Sequence, residues 1–133
     1  MATIFTKIIN GEIPCHKIAE NDNFIAFLDI NPLVKGHTLV VPKKEIDYLF
    51  DQSNDVLSNI MLFSKPIAKA IEKVVPCARI GVTVIGLEVP HTHIHLIPIN
   101  HVADMDFSKP KLSFEASEME GIAQAIREGY MLS

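Results

Sequence analysis

Apolar residues recur along this chain in two rhythms, one near 3.6 residues and one of 2, and the switches between them mark its elements. Ile4, Phe5, Ile8 and Ile9 lie at near-helical spacing and predict a short helix over residues 3–10, stopped by Asn10-Gly11 and Pro14. Two β-like runs follow at 15–19 and 23–28. In the second, Phe24, Ala26 and Leu28 alternate with Ile25 and Phe27, and Asn21-Asp22 between the runs predicts a hairpin. After the loop Asn31-Pro32-Leu33-Val34-Lys35-Gly36, the β-branched run at 37–41 predicts a third strand, ended by Pro42, which cannot donate to a ladder.

The clearest helix begins at Ser53, a plausible N-cap. Val56, Ile60, Phe63, Ile67, Ile71 and Val74 then form one apolar stripe, and Pro76 closes it. Pro66 inside it removes the bond to the Leu62 carbonyl and predicts a kink. Strands are expected at 78–85 and 92–99, around Gly86-Leu87-Glu88-Val89-Pro90, and a last helix near 115–128. The connections are too short for parallel crossovers except across the long helix, so the fold class is α+β with an antiparallel sheet.

A length of 133 residues with 48% hydrophobic content suits one domain, 1–133, with 101–133 as a carboxy-terminal extension. No run approaches the ~18 apolar residues of a membrane span, and the amino terminus lacks the pattern of a secretory leader, so a cytoplasmic protein is expected. Two cysteines, Cys15 and Cys77, in no paired motif predict neither a disulfide framework nor a cysteine-rich zinc site. A formal net charge of −4 argues against nucleic acid as a partner but leaves room for a small anion at a local site.

Chemistry concentrates in His91-Thr92-His93-Ile94-His95, which holds three of the chain's six histidines, while His37 opens a neighbouring run after a glycine. On an extended strand alternate side chains share a face, so the three imidazoles would line up at intervals of roughly 6–7 Å, with Thr92, Ile94 and Leu96 toward the core. Imidazole can be nucleophile, proton carrier and phosphoryl ligand near neutral pH. The same residues leave a second reading open: two of them, completed by His37 or His101, would make an open zinc site.

These residues resemble the histidine triad (HIT) family, whose signature alternates three histidines with apolar positions. Ile4-Phe5-Thr6-Lys7-Ile8-Ile9-Asn10-Gly11-Glu12-Ile13-Pro14, Phe27-Leu28-Asp29-Ile30-Asn31-Pro32 and Gly36-His37-Thr38-Leu39-Val40-Val41-Pro42 extend the likeness over residues 2 to about 100. The resemblance implies a five-stranded antiparallel sheet with one long helix and a homodimeric assembly. It further implies hydrolysis or transfer of a purine, AMP-like nucleotide through a nucleotidyl-histidine, as in nucleoside phosphoramidases, with neither cofactor nor metal.

Carried over by position, His93 resembles the nucleophile and His95 the contact to phosphate or leaving group, with His91 and His37 as supports. Asp29 resembles the acceptor of the ribose hydroxyls. Phe5, Ile8, Ile13, Phe27, Leu28 and Ile30 resemble the slot for the base, and Glu88 and Val89, in the motif leading into the triad, are expected to be further nucleotide-binding residues. That motif reads Gly86-Leu87-Glu88-Val89-Pro90-His91, so Leu87 stands where the family places an amide donor, a loss worth roughly 1.5–3 kcal/mol at a charged phosphate. A non-catalytic nucleotide sensor is the remaining alternative. The paired cysteines of the family's zinc-binding members have no counterpart at Thr6-Lys7.

Overall fold

The structure is a computed structural model, and it describes residues 2–131. Helix α1 (Ile4–Ile9) is capped by Thr3, whose hydroxyl accepts from the Thr6 N–H, and the chain leaves it through Gly11 at φ +79°. Strands β1 (Lys17–Glu20) and β2 (Phe24–Leu28) form the expected hairpin, because the Asn21 side chain accepts from both Asn23 N–H and Phe24 N–H. Strand β3 (Thr38–Pro42) includes Pro42, which ends the run at a point where pairing to the next strand has already stopped at Val40, so its missing N–H costs nothing.

Helix α2 (Asn54–Val74) is capped by Ser53 as expected, and it continues through Pro66. The carbonyl that Pro66 leaves without a donor belongs to Leu62, a solvent-exposed residue, so water can replace the bond. Strand β4 (Arg79–Thr83), strand β5 (Ile94–Ile99) and helix α3 (Ala116–Met131) complete the order, with single 3-10 turns at Leu49–Asp51 and Val102–Met105. The five strands form one antiparallel sheet in the order β1-β2-β3-β5-β4.

Alternation divides the sheet into two faces. Phe24, Ala26, Leu28, Val40, Ile94 and Leu96 point to one side and pack against Ile60, Phe63, Ile67 and Ile71 of α2 and Met119, Ile122 and Ile126 of α3. The apolar stripe of α2 is thus covered within the chain. On the other side Ile25, Phe27, Leu39 and Val41 form a smaller cluster with Phe5 of α1. That second face carries the histidines.

The turn into β3 is tight. Gly36 has φ +90°, and a Cβ there would stand 2.8 Å from a methyl of Val75. Gly36→Ala should therefore destabilise the fold by about 2 kcal/mol or more, read as a lower denaturation midpoint in urea with the slope unchanged.

Candidate active site

The histidine segment enters the sheet later than its pattern suggests. Strand β5 starts at Ile94 and β4 stops at Thr83, so His91, Thr92 and His93 precede the strand and 84–85 lie beyond β4. Pro90 cannot donate, and the next two amides are already engaged: His91 N–H bonds the Val89 carbonyl and Thr92 N–H the Ile46 carbonyl, both at 2.8 Å. The strand expected over 92–99 is therefore shorter at its start. Side-chain alternation persists all the same. Ile94 and Leu96 enter the helix-side core, while the rings of His93 and His95 lie 4.9 Å apart on the opposite face.

Backbone groups dictate where the ring protons sit. His93 Nδ1 is 2.7 Å from the His91 carbonyl oxygen, which can only accept, so Nδ1 carries the hydrogen and Nε2 keeps its lone pair. His37 Nδ1 accepts from the Leu33 N–H at 3.0 Å, which leaves the hydrogen of the neutral ring on Nε2. That Nε2 donates to His95 Nδ1 at 2.9 Å, so the remaining ring hydrogen of His95 lies on its own Nε2. The result is a lone pair on His93 beside a donor on His95. Among the described residues, the buried side-chain polar atom left without a partner is Gln52 Oε1, so neither Nε2 is sealed from a ligand.

His91 is fully buried and fixed at both ends. Its Nε2 donates to the Pro42 carbonyl at 2.7 Å, and its Nδ1 accepts from the Thr3 hydroxyl at 2.9 Å. Glu45 holds the other side of this joint, accepting from Thr3 N–H at 2.9 Å and from the Thr6 hydroxyl at 2.6 Å. Burial holds His91 below the usual imidazole range, although the Pro42 carbonyl opposes the shift. Burial also pushes His37 down to about 3 and His95 to about 4, each helped by the neighbouring imidazoles. Both rings are neutral at neutral pH.

The expected base-slot residues divide. Phe5 and Phe27 are buried together in the histidine-face cluster, and the Phe5 ring stands edge-on 4.9 Å from His93 and 5.8 Å from His91. Ile8 and Val89 pack against that cluster, and Ile8 and Ile13 line a cleft of about 270 Å³ between α1 and the β1–β2 hairpin. Leu28 departs: its side chain lies on the opposite face in the helix-side core, because it has the same parity as Phe24 and Ala26. Ile30 is exposed beside Asp29.

Asp29 accepts from the Asn31 N–H at 2.9 Å, the turn-capping bond its position allows, and its other oxygen lies 3.7 Å from His37 Nε2. Burial raises its pKa, and the nearby Glu88 carboxylate adds to the rise. Asp29, His37 and His95 present donor atoms within 4.8 Å of one another. His101 is absent from that group. A metal there would have to displace the hydrogen that His37 shares with His95.

Several contacts at the site were not foreseen. Thr3, Thr6 and Glu45 behind His91 and the Phe107 ring 4.9 Å from His95 come from residues distant in sequence, whereas the Leu33 N–H behind His37 comes from four residues upstream, through a turn whose closure the residue pattern does not show. The one local hint was Thr3, a hydroxyl residue just before a helical run.

Comparison with known proteins agrees with this geometry. The HIT domain family matches residues 10–102. An uncharacterised HIT-like protein of Methanocaldococcus jannaschii is 43% identical over 102 residues, 71% of this chain and 77% of that protein. An adenosine 5'-monophosphoramidase of Schizosaccharomyces pombe is 33% identical over 129 residues, 95% of this chain and 94% of that protein. Among solved structures, a Hit-like protein of Bartonella henselae superposes with a TM-score of 0.84 at 32% identity, covering 96% of this chain and 95% of its own. With the family match spanning more than half its length, and with His91, His93 and His95 gathered on one face of a five-stranded antiparallel sheet, this chain belongs to the HIT family.

Proposed function

We propose that this chain is a nucleotide hydrolase or transferase that acts on the α-phosphate of an AMP-like purine nucleotide through a covalent intermediate on His93, without a metal. One observation carries the reading: the 2.7 Å bond from His93 Nδ1 to the His91 carbonyl leaves Nε2 as a free nucleophile. The adenosine 5'-monophosphoramidase of Schizosaccharomyces pombe, similar over 95% of this chain, supports the substrate class.

In this reading His93 Nε2 attacks phosphorus, a new N–P bond forms, and the bond to the leaving amine breaks. The amine leaves with the electron pair and takes a proton from solvent. Water then attacks phosphorus, the His93 bond breaks, and the nucleoside monophosphate is released. The positive charge on the ring during the intermediate is stabilised by the carbonyl at Nδ1. His95 donates its Nε2–H to a phosphoryl oxygen. It serves better as a fixed donor than as an acid, since its other nitrogen already accepts from His37. Asp29 accepts from ribose hydroxyls, and Phe5, Phe27, Ile8 and Ile13 flank the base.

His93→Ala should lower kcat/KM for an adenosine phosphoramidate by at least about 10³-fold while AMP still binds and the fold persists, measured by AMP release and calorimetry. Turnover surviving in that variant refutes the nucleophile. Chelation with EDTA should leave wild-type turnover unchanged, and a loss restored by zinc would support the metal reading instead.

A stability prediction follows from the neutral histidines. Between their folded values of about 3 and 4 and the ordinary value near 6.5, the unfolded chain binds protons that His37 and His95 do not. Stability must then rise with pH across that window and be lost on acidification. Going from pH 7 to pH 5 should cost about 2 kcal/mol or more in urea unfolding, and a flat profile would contradict the buried, neutral pair.

A further inference from the structure

The segment after β5 turns back across the histidine face. The 3-10 turn at Val102–Met105 brings Met105 so close to β4 that a Cβ on Gly81 would meet its sulfur at 2.9 Å. Phe107 follows, its ring edge-on to His95 at 4.9 Å and to His37 at 6.1 Å. Asp106 fastens the turn by accepting from Ser108 N–H and from its hydroxyl. Leu112 N–H then bonds the Pro32 carbonyl at 2.8 Å, docking the segment on the loop that joins Asp29 to His37.

Lys111 lies between these two anchors. Its Nζ donates to the Phe107 carbonyl at 2.6 Å and stands 5.7 Å from the centre of the Phe107 ring. The charge is felt at both Asp29 and His37. We propose that Lys111 is an anion-binding residue of the nucleotide site, delivered by the 106–112 segment to read the negative charge of the substrate's phosphate.

The inference rests on the nucleotide reading above and adds a residue to it. The site as otherwise built offers a phosphate the buried, neutral rings of His37 and His95 and two nearby carboxylates, Asp29 and Glu88, in a chain of net charge −4. Leu87, 90% exposed, brings no donor. A Lys supplies a compact charge on a flexible stem, and this one is exposed, held by the Phe107 carbonyl, a longer 3.4 Å bond to the Lys109 carbonyl and a ring face, which it can exchange for a phosphate oxygen. Phe107 has a double use: it supports the ammonium on one side and closes the edge of the His37–His95 pair on the other.

Calorimetric titration of AMP and of adenosine at low ionic strength separates charge recognition from nucleoside binding. Lys111→Met should weaken AMP about tenfold and leave adenosine unchanged, and Lys111→Arg should keep the wild-type ratio of the two affinities. In turnover of an adenosine phosphoramidate, KM should rise in Lys111→Met with kcat nearly kept. An unchanged AMP-to-adenosine ratio in Lys111→Met, or an equal loss for both ligands, overturns the assignment, as does a Lys111→Arg that behaves like the methionine variant. Wild-type protein that binds neither AMP nor adenosine removes the nucleotide reading together with this one, whereas normal wild-type binding with an unaffected Lys111→Met sinks this inference alone.

Discussion

A single backbone amide, the N–H of Leu33, sets the state of two histidines, His37 just before β3 and His95 in β5. It donates to His37 Nδ1, which leaves His37 Nε2 to donate to His95 and obliges His95 to present its own hydrogen outward. Because a peptide N–H cannot become an acceptor at any ordinary pH, the direction of this chain is not negotiable. The geometry behind it is equally local: the turn that brings Leu33 within reach of His37 passes through Gly36 in the left-handed region, with the His37 N–H returning to the Val34 carbonyl. Register does the rest, since Leu39 of β3 faces His95 of β5 and thereby sets His37 beside it.

His93 obeys a second backbone group of opposite sense. Its Nδ1 meets a carbonyl, so the two neighbouring rings are locked into opposite tautomers, one offering a lone pair and the other a hydrogen. The carbonyl belongs to His91, and the burial of His91 is what makes it reliable. Pro42, Thr3 and, through Thr3 and Thr6, Glu45 hold that residue from β3 and the first helix. The cap of α1 therefore has two tasks. It satisfies a helix amide and ties the helix carrying Phe5 to the residue that orients His93.

Much of this was visible in the residue pattern, for a physical reason. Helices α1 and α2 and the hairpin are specified by neighbours: the stripe from Val56 to Val74, the Ser53 cap and the Asn21 turn all act within four residues or so. The alternating histidines likewise announced a shared face. What failed to show was set by distant pairing. The start of β5 depends on Ile46 capturing the Thr92 amide, the face of Leu28 on the register of β2 against β3, and the approach of Phe107 on a loop closing over a sheet. Periodicity alone cannot decide which of two faces becomes core when both are apolar, and all five residues of β2 are buried.

The electrostatic character of the site follows from these constraints. An acidic chain would ordinarily repel a phosphate, and a cluster of protonated imidazoles would be the direct remedy, but burial pushes His37 and His95 down to about 3 and 4 and forecloses it. What the imidazoles offer instead is attraction by oriented dipoles. A neutral N–H fixed by a hydrogen-bonded partner loses little entropy on meeting a phosphoryl oxygen and has no counter-charge to shed. On His93 the carbonyl at Nδ1 fixes the tautomer that places the lone pair on Nε2. A lone pair and an N–H can thus be offered side by side by one residue type only when the protein, not the solvent, decides where each hydrogen sits. Here that decision is made by one carbonyl and one amide of the main chain.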